Sequence, residues 1–289
     1  MSSRGGSGRN HSLCAINIAP VNGRIRIAAE CARLESVYRE TYRGFKSLIL
    51  RHFYISKETG IWLKPRKKIT SFARLAPILV RELYKGYFKN ISSFSQFGED
   101  LELLEILGKS KGIFIDVGSG RPVSGSNTWM LYKLGWSGIS IDPLKSNMFL
   151  HKLLRPRDKF IRAIVGLEAQ NIDFWETFPY EYSSTDKNLV FKLIATNKAE
   201  FVNCYLVESI PINRIFENTK DARLLCIDAE GMDFEILKNL DFDKYRPELI
   251  CIEDHEYMHE KSQIKQLMIE NNYRLEKNKH PSYIYCRND

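Results

Sequence analysis

The stretch Gly112-Ile113-Phe114-Ile115-Asp116-Val117-Gly118-Ser119-Gly120 decides the fold class. It is a short apolar, β-branched run that breaks off at glycine, serine and glycine. That pattern reads as a buried strand running into a Gly-rich turn. Glycine lets the backbone turn sharply and approach a ligand closely, and the following helix offers its free N–H groups. A dinucleotide fingerprint would need a third glycine three residues after Gly120, where the chain has Val123. That weakens an NAD reading and favours a nucleoside cofactor that needs no pyrophosphate cradle.

Downstream, residues 127–134 have helical character and Gly135 stops them. Residues 137–141 form a second strand, closed by Asp142-Pro143. Asp142 stands 24 residues after Gly118, where a carboxylate can accept the hydrogen bonds of a ribose diol. Residues 159–165, 223–228 and 248–253 read as third, fourth and fifth strands, with helices over about 232–240 and up to about 271. Strands near 273–277 and 282–286 suggest an antiparallel pair at one edge. Continuous apolar strands alternating with helices predict a mostly parallel sheet covered on both faces, an α/β fold. No internal repeat is visible.

Upstream the chain is less legible. Residues 24–50 have helical character. The basic knot Lys64-Pro65-Arg66-Lys67-Lys68 precedes residues 69–88, where Phe72, Leu75, Ile78, Leu79, Leu83 and Tyr87 mark one helical face that Pro77 is expected to kink. Residues 1–90 hold 18 Lys/Arg against 5 Asp/Glu, a net of +13, while residues 91–289 carry a net of −5. A basic arm beside an acidic body predicts an anionic partner for the arm, such as a membrane surface or nucleic acid.

With 289 residues, 44% hydrophobic and 27% charged, the chain has an ordinary globular composition. This excludes global disorder, collagen-like repetition and a dense disulfide scaffold. No run reaches the ~18 apolar residues of a membrane span. Residues 1–12 read as a polar tail rather than a secretory signal. The expected organisation is a basic N-terminal segment, 1–90, and a catalytic domain, 91–289. Of six cysteines, Cys14, Cys31, Cys204, Cys226, Cys251 and Cys286, none forms a C-x-x-C pair. Cys226 and Cys251 lie in apolar runs, which predicts buried free thiols in a reducing, cytoplasmic setting.

The fourth and fifth strands end in Asp228-Ala229-Glu230-Gly231 and Glu253-Asp254-His255. In an open α/β sheet ligands bind outside the carboxyl ends of the strands. Carboxylates and an imidazole there can deprotonate a hydroxyl or hold a divalent cation. Asp228, Glu253 and His255 are therefore the catalytic candidates, and Asp228, Glu230 and Glu253 the candidates for a metal that the sequence cannot demonstrate. The competing reading is that Asp228 or Glu230 caps the next helix. His255-Glu256-Tyr257-Met258-His259 also matches H-E-x-x-H, the zinc protease pattern. It follows directly on a strand amid charged residues, so coincidence is the better reading.

Together, Ser95-Gln96-Phe97-Gly98-Glu99-Asp100, Phe114-Ile115-Asp116-Val117-Gly118, Ser126-Asn127-Thr128, Gly135-Trp136-Ser137-Gly138, Ile141-Asp142-Pro143, Asp228-Ala229-Glu230-Gly231 and Arg246–Glu253 resemble the FkbM-family methyltransferases over residues 94–287. The resemblance implies a class I Rossmann-like fold and methyl transfer from S-adenosylmethionine, usually to a hydroxyl of a sugar or polyketide. It implies that Asp116, Gly118 and Gly120 line the methionine end of the cofactor and Asp142 the ribose, with Asp228 facing the reacting methyl. The full expected cofactor set is Gln96, Glu99, Asp116, Gly118, Gly120, Asn127, Asp142 and Ala163. Ser119 stands where the family usually has Ala. The expected partner is a small-molecule or glycan acceptor, with peripheral contact to an anionic membrane through residues 64–88. Nucleic acid is disfavoured by the acidic body and by the lack of an RNA-binding aromatic run. The alternatives are a non-catalytic binding module on the same fold and, more remotely, the zinc protease.

Overall fold

The computed structural model describes residues 54–55, 62–63, 71–229, 231–254 and 262–288. The chain divides into two compact units, Met1–Lys64 and Pro65–Asp289. In the first, strands β1 (Tyr54–Ile55) and β2 (Trp62–Leu63) pair antiparallel. The predicted helix at 24–50, the basic knot at 64–68 and the H-E-x-x-H segment lie outside the described residues.

The second unit is built on a seven-stranded sheet. Its strands are β3 (Ile113–Val117), β4 (Ser137–Ile141), β5 (Lys159–Ile161), β9 (Ala222–Ile227), β10 (Leu249–Glu253), β11 (Tyr273–Lys279) and β12 (Ser282–Arg287), in the order β11-β12-β10-β9-β3-β4-β5. All pairings from β10 to β5 are parallel, and β12 lies antiparallel between β10 and β11. The order follows the doubly wound nucleotide-binding sheet except for that inserted last strand. The expected α/β fold and its antiparallel edge are thus both present.

Strict alternation of side chains divides the core between the sheet's two faces. Ile115, Val117, Leu225, Ile227, Ile250 and Ile252 belong to one buried cluster. Phe114, Leu224, Cys226, Leu249 and Cys251 belong to the other. Each such side chain, fully buried, contributes roughly 1.5–3 kcal/mol, so these short runs suffice to fix the sheet.

The third strand differs from expectation. Residues 159–165 do not form one strand. β5 stops at Ile161, and β6 (Ile164–Gly166) joins a second sheet of order β6-β8-β7, with β7 at Gln170–Phe178 and β8 at Glu200–Pro211. The break comes at Arg162, whose Nε–H turns back to donate to the Pro143 carbonyl at 3.0 Å.

Upstream of the sheet, the helix Ser71–Leu83 runs unbroken through Pro77 and passes into a π-helical turn, Tyr84–Phe88. Pro77 does not end the helix. Pro77 removes one backbone donor, while packing further along holds the helix down. Leu79 and Leu83 pack against Phe94, Val123 and Trp129. Glu82 is fully buried and accepts from the N–H groups of Val123 (3.1 Å) and Ser124 (2.8 Å). Gly86 lies beneath Trp129, where a Cβ would come within 2.9 Å of Cζ2. Among the described residues no helix is long and apolar enough to cross a membrane.

Candidate active site

Strand order reverses between β3 and β9, because β3 leads outward to β4 and the chain later returns on β3's other side. That switch point is where an open α/β sheet leaves a crevice. Here the two strand ends touch. The Asp228 N–H donates to the Val117 carbonyl at 3.1 Å, and a Cβ on Gly118 would collide with the Asp228 carbonyl oxygen. Gly118 also has φ +71°, in the left-handed region. Both the conformation and the missing space require glycine. The Gly118 and Ser119 N–H groups donate to the Ile141 carbonyl at 3.0 and 3.1 Å, tying the turn to the second strand end.

Asp142 completes that tie. Its Oδ2 accepts from the Gly120 N–H at 3.2 Å, and its Oδ1 accepts from the Leu144 N–H at 2.8 Å and the Asn147 amide at 3.1 Å. Burial pushes its carboxyl up to about 7 against those three hydrogen bonds, with a smaller upward push from the charge of Asp116. The ribose candidate is therefore also the clamp between the two cofactor-side loops. Asp116, likewise buried, accepts from Thr128 Oγ1 at 2.6 Å, and burial raises it to about 6. Behind Thr128 lies Arg155, fully buried, donating to Thr128 Oγ1 at 3.0 Å and paired with Asp158 at 2.6 Å. Nothing in the sequence around Arg155 and His151 marks either as buried, so neither was among the expected site residues. The His151 Nε2 sits 3.1 Å from the Gly120 carbonyl, and burial, then Arg155, keep the ring neutral.

The structure brings most of the expected residues together. Gln96 is exposed on a cleft beside the glycine turn. Glu99 is buried and accepts from the Phe97 N–H and from Ser282 Oγ, each at 2.8 Å. Ser282 is the register partner of Glu253. Asp228 directly follows β9 and Glu253 closes the adjacent β10, with Glu99 reached through Ser282. Asn127 lies in the turn before the helix Trp129–Lys133. Ala163 has its side chain in the main core cluster. The helix after β9, Asp233–Lys238, has no side-chain N-cap. Instead Asp233 accepts from the N–H groups of Ala229 (2.8 Å) and Gly231 (3.0 Å) and folds that loop. Glu230 and His255 lie outside the described residues. Among the described residues no three His, Cys, Asp or Glu side chains gather as a metal site.

Whether this crevice fits a nucleoside cofactor is tested by its unsatisfied polar atoms. The hydroxyls of Ser119 and Ser140 are buried without a hydrogen-bond partner. One lies in the glycine turn, and the other is the register neighbour of Asp116. Open space at Gly120, where a Cβ would meet nothing nearer than 3.9 Å, an acidic second strand end and an orphaned turn hydroxyl together fit such a ligand.

The methyltransferase FkbM domain matches residues 116–275, from the aspartate of β3 into β11. The chain belongs to the FkbM methyltransferase family. As an FkbM methyltransferase it takes its methyl group from S-adenosylmethionine. No curated protein sequence matches it. Similar solved structures include a methyltransferase from Geobacter sulfurreducens, 9% identical with a TM-score of 0.37, covering 78% of this chain and 91% of that one. Another is the 1,6-didemethyltoxoflavin-N1-methyltransferase of Burkholderia thailandensis, solved with 1,6-didemethyltoxoflavin and S-adenosylhomocysteine. It is 10% identical with a TM-score of 0.36, covering 82% of this chain and 100% of that one. These likenesses are loose. The FkbM assignment rests on the matched domain.

Proposed function

We propose that the chain O-methylates a hydroxyl of a sugar or related small-molecule acceptor, with Asp142 as the ribose acceptor and Asp228 as the group that takes the hydroxyl proton. S-adenosylmethionine supplies a sulfonium methyl group: the carbon–sulfur bond breaks with its electron pair left on sulfur as the oxygen–carbon bond forms. The observation that carries the reading is the crossing of Gly118 against Asp228 at the switch point. It puts a carboxylate-bearing strand end directly beside the glycine turn. Positioning supplies much of the acceleration for such a displacement. A sugar hydroxyl is a weak acid, so a carboxylate at the acceptor side supports transfer to oxygen. Glu253, at the neighbouring strand end, is the second carboxylate available to orient the acceptor. Val80, Tyr84 and Phe88 are exposed beside Arg81, Lys85 and Lys89, which supports peripheral contact with an anionic bilayer.

The test is methyl transfer from labelled S-adenosylmethionine to a panel of sugars, polyols, amines and thiols. Base-stable label on a hydroxyl-bearing acceptor, lost in Asp228→Asn, upholds the reading. Transfer confined to nitrogen or sulfur acceptors overturns it.

A further inference from the structure

Beside the glycine turn lies an open cleft of about 500 Å³, large enough for a small-molecule ligand. Its charge is one-sided. Arg81, Lys85 and Lys89 reach it from the upstream helix and turn, Arg121 reaches it from the residue after Gly120, and Glu181 is the one acidic residue in its lining. Among the described residues none of these four cations is held in an ion pair. Glu82, whose charge pulls on Lys85, accepts from the Val123 and Ser124 N–H groups through Oε2, while its Oε1 is buried without a hydrogen-bond partner. Ser124 lines the cleft, and its hydroxyl is buried with no partner. Tyr180, also on the wall, stacks beneath the Arg121 guanidinium at 4.6 Å. The cleft adjoins the cofactor crevice, since Gly120 donates to Asp142 and the next residue, Arg121, enters the cleft.

Gathering four like charges is unfavourable without an anion to answer them. Lys85 registers this: burial first, then the charges of Arg81, Lys89 and Arg121, hold its ammonium below the usual lysine range, against an opposing pull from Glu82. A single carboxylate is satisfied by one arginine fork, whereas phosphate and diphosphate groups offer several oxygens and two or more charges.

We propose that this cleft binds a phosphate or diphosphate group carried by the methyl acceptor, and so orients a phosphorylated acceptor toward the glycine turn. The proposal rests on the methyltransferase reading above and adds the acceptor's chemical class. The phosphate takes no part in bond making. It is an anchor, and the arms of the cleft that hold it come largely from the segment upstream of the catalytic sheet.

The experiment is calorimetric titration of the full chain with inorganic pyrophosphate, with and without saturating S-adenosylhomocysteine. Wild type is expected to bind pyrophosphate, less tightly as salt is raised. Arg81→Ala with Lys85→Ala is expected to weaken pyrophosphate binding about tenfold or more and leave S-adenosylhomocysteine affinity unchanged. Lys85→Arg, which keeps the charge, is expected to retain binding. A melting profile like wild type shows that the double variant is folded, and Lys89→Glu serves in its place if it is not. Absence of pyrophosphate binding at low salt overturns the proposal. So does an equal loss of S-adenosylhomocysteine affinity in the variants, which would assign the cations to the cofactor's carboxylate. Failure of wild type to bind S-adenosylhomocysteine at all sinks the methyltransferase reading instead. A second arm identifies the source. Displacement of pyrophosphate by phosphatidylglycerol vesicles but not phosphatidylcholine vesicles supports a lipid-borne phosphate, and displacement only by soluble sugar phosphates or nucleotides supports a free one.

Discussion

At the scale of the residue, Gly118 and Asp142 shape the proposed cofactor crevice by different physics. Gly118 has neither the conformation nor the space for a side chain. Gly118→Ala is expected to lower stability by at least ~2 kcal/mol and to abolish S-adenosylhomocysteine binding, read by thermal unfolding and calorimetry. Asp142 is buried and acts instead through its carboxyl. Its carboxyl lies at about 7 in the fold against an ordinary value of 3.8. The folded chain therefore holds more protons than the unfolded one between those values, and the contribution of this group makes stability fall as pH rises from about 4 to about 7. Cofactor binding runs the opposite way, because ribose hydroxyls donate best to the ionised form. Affinity for S-adenosylhomocysteine is expected to rise about tenfold from pH 6 to pH 8, and Asp142→Asn to flatten that dependence. Asp142→Ala is expected to weaken binding about 10- to 100-fold. A flat wild-type profile would remove Asp142 from the ribose. Glycine was legible here because the turn demands its backbone freedom, and Asp142 because a carboxylate closing the second strand stands out in the sequence. Arg155 was not, since nothing in the sequence around it marks it as buried.

At the scale of the element, what was legible was what had only one solution. Strands β3, β9 and β10 are apolar runs buried on both faces, and their shortness and flanking turn residues mark them as strands. The antiparallel pair of β7 and β8 escaped because its burial keeps no single period: the neighbours Phe174 and Trp175, which point to opposite faces, are both buried. In β8, buried Val207 and Ser209 alternate with exposed Leu206 and Glu208, and in β7 a bulge at Glu176/Thr177 breaks the period. The third strand was read as one because its apolar residues straddle Arg162, the turning point. The helix Ser71–Leu83 was legible as a face but not as a joint, since an acidic residue amid arginines and lysines suggests solvent. Its attachment through Glu82 can be tested. Glu82→Ala leaves the Val123 and Ser124 N–H groups without an acceptor and is expected to cost about 2–4 kcal/mol in thermal unfolding. Glu82→Gln keeps an acceptor oxygen and is expected to cost less. An Ala variant as stable as wild type would mean the helix is not fastened there. On the acceptor side, Asp228→Asn is expected to remove most turnover while S-adenosylhomocysteine binding survives, because the role proposed for it lies in the chemical step. Near-full activity would move the proton-accepting role to Glu253.

At the scale of the whole molecule, charge and apolar exposure coincide in one place. The net of +13 in residues 1–90 stands against −5 in the remainder, and the described part of that basic segment presents Val80 and Phe88, 65% and 78% exposed, next to Arg81, Lys85 and Lys89. The helix is thus divided: Leu79 and Leu83 pack inward on Trp129 and its neighbours, which accounts for part of the apolar stripe without a membrane, while Val80, Tyr84 and Phe88 remain outside. An apolar edge ringed by cations suits the interface of an anionic bilayer, where each basic residue near the lipid contributes about 1 kcal/mol. The full chain is expected to co-sediment with phosphatidylglycerol vesicles and not with phosphatidylcholine vesicles, and to be released by salt. Val80→Asp with Phe88→Asp replaces the inserting groups with like charges facing the lipid and is expected to reduce vesicle partitioning about tenfold or more while S-adenosylhomocysteine binding is kept. Both substitutions lie on exposed side chains, so loss of vesicle binding reports on the surface rather than on unfolding. If wild type ignores anionic vesicles at low salt, the positive charge of the segment serves the cleft and the acidic body alone.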